Sequence, residues 1–311
     1  MDKILVTGGA GFIGSHLVDK LIANNSIVVF DNLSSGNLKN LEHLENNKNF
    51  SFIKGDLLKP EDIEKSLKGI SKVYHIAANP EVRIGEVDTR THFEQNIVAS
   101  YNLLEAMRKD NVKNIIFTST STVYGDAKII PTPEEYPTTP ISTYGASKLA
   151  AEGLISSFCH TFGMKGVVFR LANIIGRRSD HGVIIDFIKK LKNNPKELEI
   201  LGDGTQNKSY IYIDDCIDGI LFAEEKSIDN FDIFNLGSED RITVKELAGI
   251  VVKGLGLKDV KYNFTGGYEG RGWRGDVKFF QLSIEKIKKL GWRPKYNSRE
   301  SVEKTVNDLK S

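Results

Sequence analysis

Thr7-Gly-Gly-Ala-Gly-Phe-Ile-Gly14 joins two stretches of different hydrophobic period. Before it, Asp2 to Thr7 carries Ile4, Leu5 and Val6 in succession, the pattern of a short buried strand. After it, Phe12, Ile13, Leu17, Val18, Leu21 and Ile22 recur at helical spacing, which predicts a helix over 12–23. Gly8, Gly11 and Gly14 stand three residues apart. That spacing suits a strand-to-helix turn whose backbone comes close to a pyrophosphate and whose helix packs tightly on the sheet. The helix N-terminus then offers N–H donors and a partial positive charge. The plain alternative is a tight turn without a ligand. A glycine triplet after a strand and before an amphipathic helix favours the phosphate site. Gly8, Gly11, Phe12, Ile13 and Gly14 are therefore expected to hold a dinucleotide.

Further strands are expected at Ile27–Phe30, Ser51–Lys54, Lys72–Ile76, Asn114–Thr118 and Gly166–Leu171. Long helices are expected over Thr91–Lys109 and Ile141–Phe162. Strands alternating with helices predict an α/β fold with a doubly wound parallel sheet of the Rossmann kind. Its ligand belongs at the carboxyl ends of the strands. Past residue 172 the alternation loosens and glycine-rich stretches appear at 201–205 and 265–276. We read residues 1–171 as the cofactor domain. Residues 172–208 and 236–311 read as a smaller α/β domain that closes over the cofactor and holds the substrate. Ser209–Ile213 and Asp232–Asn235 read as strands returning to the main sheet.

The 311 residues carry a net charge of +1, so no general attraction to nucleic acid or to an anionic membrane is expected. No run approaches the roughly 20 apolar residues of a membrane helix, and no secretory signal is recognisable. The two cysteines, Cys159 and Cys216, suggest neither a disulfide framework nor a metal site. The six histidines show no metal spacing either. The cytoplasm is the expected location.

Asp31 ends the second strand, 17 residues after Gly14. An acid there accepts from the adenosine ribose hydroxyls and repels a 2′-phosphate, which favours NAD over NADP. The competing role is a turn cap, since Asn32, Ser34 and Ser35 crowd the same loop. Asp56 ends the third strand and is expected near the adenine edge, unless it too is a turn aspartate. Asn32, Leu57, Ala77 and Ala78 complete the expected cofactor contacts.

Tyr144-Gly-Ala-Ser-Lys148 puts a phenol and an ammonium on one helix face. A free phenol titrates at about 10, too high for a base at neutral pH. A neighbouring ammonium and a positive nicotinamide ring are expected to bring it down. The same spacing occurs in Tyr124-Gly-Asp-Ala-Lys128, but Gly125, Pro131 and Pro133 mark that stretch as a loop. Tyr124 is expected to pack or to line the substrate pocket. The hydroxyl run Thr118-Ser-Thr-Ser-Thr122 is expected to face the reacting group.

Together the stretches TGGAGFIGSH, VVFDNLSSG, KGDL, HIAANPEVR, TSTSTVYG, STYGASKLAAE, RLANIIGRR and GDGTQNKSYIYIDD resemble the extended short-chain dehydrogenase/reductase family, and within it the UDP-glucose 4-epimerases of archaeal type. The resemblance covers nearly the whole chain. It implies Tyr144, Lys148 and Thr120 as catalytic groups. It implies Asn96 near the cofactor phosphates, and Asn173 on the substrate phosphates. Lys208 stands where the family has an arginine on the diphosphate. Asp276 is implied on the uridine ribose, but the arginine expected three residues earlier is Trp273 here, with Arg271 and Arg274 on either side. Asn79 replaces a lysine found in many epimerases. Thr122, His181 and Arg274 complete the expected substrate contacts.

The resemblance implies NAD-dependent epimerisation of a UDP-sugar at C4 through a transient 4-keto intermediate, in a homodimer whose long helices pair. Phe280, four residues after Asp276, would disfavour N-acetyl sugars if it lines the pocket rather than the core. Dehydratases carry Asp-Glu where this chain has Ser121-Thr122, and decarboxylases carry Glu at the second position. The alternatives are another member of the family acting on a nucleotide sugar (a reductase, a dehydratase or an N-acetylhexosamine epimerase) or a non-catalytic NAD sensor.

Overall fold

The computed structural model describes residues 1–272 and 275–310. The chain divides into two compact units. One comprises Met1–Val123, Ser142–Arg170 and Glu224–Phe234; the other comprises Tyr124–Ile141, Leu171–Ala223 and Asn235–Ser311.

The first unit is built on a seven-stranded sheet. Its strands are β1 (Lys3–Thr7), β2 (Ser26–Asp31), β3 (Phe50–Lys54), β4 (Lys72–His75), β5 (Asn114–Thr120), β6 (Lys165–Leu171) and β7 (Phe231–Leu236). The spatial order is β7-β6-β5-β4-β1-β2-β3. β1 pairs in parallel with β2 and β4, β2 with β3, and β4 with β5. Gly166 donates to Asn230 and Ala172 to Leu236, so β6 and β7 also advance together. The order turns back between β1 and β4, and open sheets of this kind bind ligands at that crevice. Strand β5 is buried at six successive positions rather than on alternate residues, because helices cover both faces.

Helices α1 (Phe12–Leu21) and α2 (Pro60–Ser66) follow β1 and β3. The helix expected over 91–109 is present but interrupted. It comprises α3 (Thr89–His92), a π-helical turn (Phe93–Val98) and α4 (Ala99–Lys109). Helix α5 (Thr143–Phe162) starts where the Ser142 hydroxyl accepts from Gly145 N–H, a cap worth about 1 kcal/mol. Leu103, Leu104, Met107 and Ile155 from α4 and α5 bury against Val73, Ile115, Phe117 and Val168 of the sheet.

In the second unit, Asn173–Ile175 pairs in parallel with Tyr210–Tyr212. Asn207–Lys208 lies between Ile242–Thr243 and Phe279–Phe280, and Glu197–Leu201 pairs with Lys261–Thr265. Phe187, Leu191, Leu198, Leu247, Val251, Val302 and Val306 form its core. Capping boxes at Thr243/Glu246 and Asn297/Glu300 start its helices Val244–Gly254 and Ser298–Leu309.

Two boundary expectations are corrected. Asp232–Asn235 does join the main sheet, but Ser209–Ile213 does not, because its strand pairs with Asn173–Ile175 instead. Residues 124–141 belong to the second unit rather than to the cofactor domain. The reason is Asn235, which is fully buried. Its Oδ1 accepts from the Tyr124 hydroxyl at 2.9 Å, and its Nδ2 donates to the carbonyls of Thr132 and Ser283 at 3.0 and 3.1 Å. Its N–H donates to Glu134 at 2.9 Å. Among the described residues no helix is long and apolar enough to cross a membrane.

Candidate active site

The glycine loop leaves β1 at the switch point, against the loop that follows β4. Gly8 has φ +69°, and a Cβ there would lie 2.6 Å from Ala77 N. A Cβ on Gly14 would lie 2.2 Å from the Gly8 carbonyl. Both positions therefore require glycine. Gly11 caps α1 without a side-chain hydrogen bond. The first-turn N–H groups, those of Phe12 and Ile13 included, have no intrahelical partner and face a position suited to an anion. This is a cradle that fits a pyrophosphate.

Asp31 is nearly buried. Its Oδ1 accepts from Leu33 N–H at 2.8 Å and its Oδ2 from Ala10 N–H at 3.1 Å. Burial pushes its carboxyl up, and the two N–H groups oppose that. Asp31 thus ties its own turn to the glycine loop and keeps acceptor capacity for a hydroxyl ligand. Asn32 is exposed and accepts from Ser34 N–H. Asp56 is half-buried and accepts from Leu58 N–H at 2.9 Å, the geometry of a turn aspartate. The Leu57 side chain packs into the core and its carbonyl accepts from Asn102 at 2.9 Å, which leaves its N–H for a ligand. Ala77 and Ala78 are half-buried on the loop after β4.

Asn96 lies in the π-helical turn and is buried. Its Oδ1 accepts from Asn79 N–H at 2.8 Å, and its Nδ2 donates to Ser147 Oγ at 2.9 Å. Its side chain links the loop after β4 to α5. His75, at the end of β4, exchanges hydrogen bonds with Thr7 at 2.8 Å and Ser100 at 3.0 Å. Burial, aided by the Lys148 charge, pushes its imidazole down to about 3, so it is neutral at pH 7.

Tyr144, Thr120 and Lys148 come together in the first unit. Thr120 ends β5 and Tyr144 opens α5, and their hydroxyls are hydrogen-bonded. Thr122 Oγ1 donates to Thr120 Oγ1 at 3.2 Å. Lys148 is 2% exposed, with its ammonium 4.1 Å from the centre of the Phe117 ring. Its Nζ has no hydrogen-bond partner among the described residues. Burial pushes that ammonium down to about 7, and Glu152 pulls it back up. The phenol behaves differently from expectation. Burial pushes Tyr144 up to about 12, and the Thr120 hydrogen bond recovers only part of that. The protein's own groups therefore do not supply the expected lowering, because desolvation of the phenolate outweighs the Thr120 hydrogen bond.

The carried-over substrate residues lie in the second unit. Asn173 is half-buried and donates to the Ser209 carbonyl at 3.0 Å. Lys208 pairs with the buried Asp276, which also accepts from Gly272 N–H at 3.1 Å. Arg271 is committed to Asp126 through two contacts at 2.9 and 3.0 Å, and to the Asp276 carbonyl. Arg274 and Trp273 lie outside the described residues. His181 is exposed and bound to its neighbour Asp180 at 2.6 Å. Phe280 is buried and Phe279 is exposed. Tyr124 is buried, with its hydroxyl spent on Asn235.

Sequence reasoning passed over Glu152 and Arg170, and it expected Ser119, in the hydroxyl run, to face the reacting group, whereas Ser119 donates to Glu152. They form a buried cluster behind Lys148. The available signal was an acid four residues past Lys148, on the same face of α5.

A model of the NAD dependent epimerase/dehydratase family matches residues 4–237. A UDP-glucose 4-epimerase of Mycolicibacterium smegmatis is 30% identical over 317 residues, covering 98% of this chain and 97% of its own. A UDP-galactose 4-epimerase crystal structure is 42% identical with a TM-score of 0.87, covering 99% of this chain and 98% of that one. A UDP-N-acetylglucosamine 4-epimerase from Methanobrevibacter ruminantium M1, in complex with UDP-N-acetylmuramic acid, is 32% identical with a TM-score of 0.88, at the same coverage.

Proposed function

Since the chain belongs to the NAD dependent epimerase/dehydratase family, we propose that it epimerises a UDP-sugar at C4, interconverting UDP-glucose and UDP-galactose. The observation that carries this reading is the cluster of buried Thr120 and Lys148 with the half-buried Tyr144 at the strand ends. The lysine has unused donors there, which suit ribose hydroxyls of the dinucleotide. Gly8, Gly11 and Gly14 with the α1 N-terminus hold its pyrophosphate, and Asp31 its adenosine ribose. Bound NAD supplies hydride acceptance at the sugar carbon and return to the opposite face.

Tyr144 removes the proton of the sugar 4-hydroxyl and later gives it back. Thr120 orients the same oxygen. The protein alone leaves the phenol near 12, so at pH 7 roughly one molecule in 10⁵ is ionised. A unit positive charge about 5–6 Å away contributes about 3 kcal/mol at an effective dielectric near 20, roughly two pKa units. A protonated Lys148 together with a cationic nicotinamide would make the phenolate accessible. The reaction is redox-neutral overall.

Ser121-Thr122 supports epimerisation over dehydration or decarboxylation, since neither residue is the acid/base group those reactions need. Burial of Phe280 fits the core alternative, so the preference for hexoses is supported by the similarity to a UDP-galactose 4-epimerase at 42% identity. The test is turnover of UDP-galactose and UDP-N-acetylgalactosamine by the purified protein, with the cofactor identified after denaturation. Faster turnover of UDP-galactose, with NAD released, is expected. Exclusive turnover of the N-acetyl sugar, or net conversion of either sugar to a 4-keto-6-deoxy product, would displace this reading.

A further inference from the structure

One face of α5 carries three ionisable groups in successive turns, at Tyr144, Lys148 and Glu152. The proposed chemistry uses the first two. Glu152 is 3% exposed and accepts from the Ser119 hydroxyl on β5. Arg170, 5% exposed on β6, binds it at 2.7 Å through Nη2, with Nε 3.2 Å from both carboxylate oxygens.

Taking a carboxylate and a guanidinium out of water is expensive, and apolar residues of similar volume often serve stability as well. The pair therefore invites an explanation beyond packing. One turn before Glu152 on α5 stands Lys148, its ammonium buried over Phe117 with no hydrogen-bond partner among the described residues. The groups around that ammonium can be named element by element. β4 contributes His75, neutral at pH 7. β5 contributes the Phe117 ring. Beside the phenol rather than the ammonium, α3 places His92, whose ring lies 5.7 Å from that of Tyr144. α5 contributes Tyr144 and Glu152, and β6 contributes Arg170 behind Glu152. Glu152 is the acid that acts on Lys148, and its carboxylate is held by Arg170 at 2.7 Å.

We propose that Glu152, held by Arg170 and Ser119, is a positioning residue that sets the charge on Lys148 and through it the ionisation of Tyr144. It touches neither cofactor nor substrate. Engaged by Arg170 and Ser119, the carboxylate makes no hydrogen bond to Lys148 among the described residues, so it favours the ammonium form while leaving its donors available. The proposal rests on Tyr144 and Lys148 being the reacting pair.

The test uses the holoenzyme labelled with carbon-13 at lysine Cε. The Lys148 signal is assigned by its loss in Lys148→Arg, and its shift is followed against pH without any sugar present. Two variants are titrated: Glu152→Gln, and the double variant Glu152→Leu with Arg170→Met, which replaces the ion pair by apolar volume. In Glu152→Gln the Lys148 midpoint is expected to fall by about one pH unit, a tenfold change in its protonated-to-neutral ratio, and in the double variant, where the opposing arginine charge goes too, by about half a unit. The alkaline limb of the turnover profile should fall with it. A Lys148 midpoint within about 0.3 unit of wild type in either folded variant would overturn the proposal, since a purely structural pair leaves that titration alone. A wild-type protein inactive on UDP-galactose whose midpoint still moves would sink the sugar assignment and leave this inference standing.

Discussion

The Asn96 side-chain amide donates to the Ser147 hydroxyl at 2.9 Å, and Ser147 donates to the Tyr144 carbonyl at 2.8 Å. The π-helical turn is thereby tied to the first turn of α5, where the phenol is carried. Asn96→Ala removes the bridge and leaves the Asn79 N–H without its acceptor. We expect a loss of about 1–3 kcal/mol in unfolding free energy. We also expect kcat to fall more than KM rises, because the phenol loses its support. Urea unfolding and steady-state kinetics on UDP-galactose check both; an unchanged kcat would contradict the role given to this bridge.

Gly14→Ala forces a methyl group to within 2.2 Å of the Gly8 carbonyl. The loop must open, and the α1 N-terminus no longer fits a pyrophosphate. The purified variant should carry far less NAD than wild type, measured after denaturation. Full cofactor content would argue that the loop is only a turn.

Burying the Lys148 ammonium costs stability while it is charged. Its folded value is about 7, against 10.5 for the free group. The unfolded chain therefore holds the extra proton between those values, so wild-type stability rises with pH across that window. In cofactor-free protein, Lys148→Met should be more stable than wild type by a few kcal/mol at about pH 6, and the difference should shrink toward about pH 10. A difference independent of pH would mean that the ammonium is not desolvated as described.

Tyr101 on α4 and Phe162 on α5 are 48% and 39% exposed, and both lie edge-on to Phe158. Exposed aromatic side chains clustered on adjacent helices support pairing with a second copy. Tyr101→Glu with Phe162→Glu should halve the mass seen by sedimentation. A wild-type monomer, or a variant of unchanged mass, would refute that pairing.

The sheet was legible because its signal is local. Runs such as Ile4-Leu5-Val6 and Asn114–Thr118, punctuated by glycines, placed its first six strands to within two residues at each end. The π-helical turn at Phe93–Val98 was not legible, since one extra residue in a turn barely alters the hydrophobic spacing of a long helix. The allegiance of residues 124–141 was hidden for another reason. It depends on Asn235, more than a hundred residues away in sequence. Glu152 and Arg170 are 18 residues apart, and only the β5–α5–β6 arrangement makes them a pair. His181 had suggested the substrate cleft, yet it is exposed and held by Asp180, and no local pattern distinguishes those fates. The Tyr144–Lys148 spacing was readable, but the sign of the phenol's shift was not, because it depends on burial.

Replacement of Tyr144 by phenylalanine tests the account most directly. The substitution keeps the ring and removes the hydroxyl that meets Thr120. Turnover of UDP-galactose should fall by about 10²–10⁴, with NAD still bound and the fold intact by circular dichroism. Turnover near the wild-type rate in a folded, NAD-loaded Tyr144→Phe protein would contradict it.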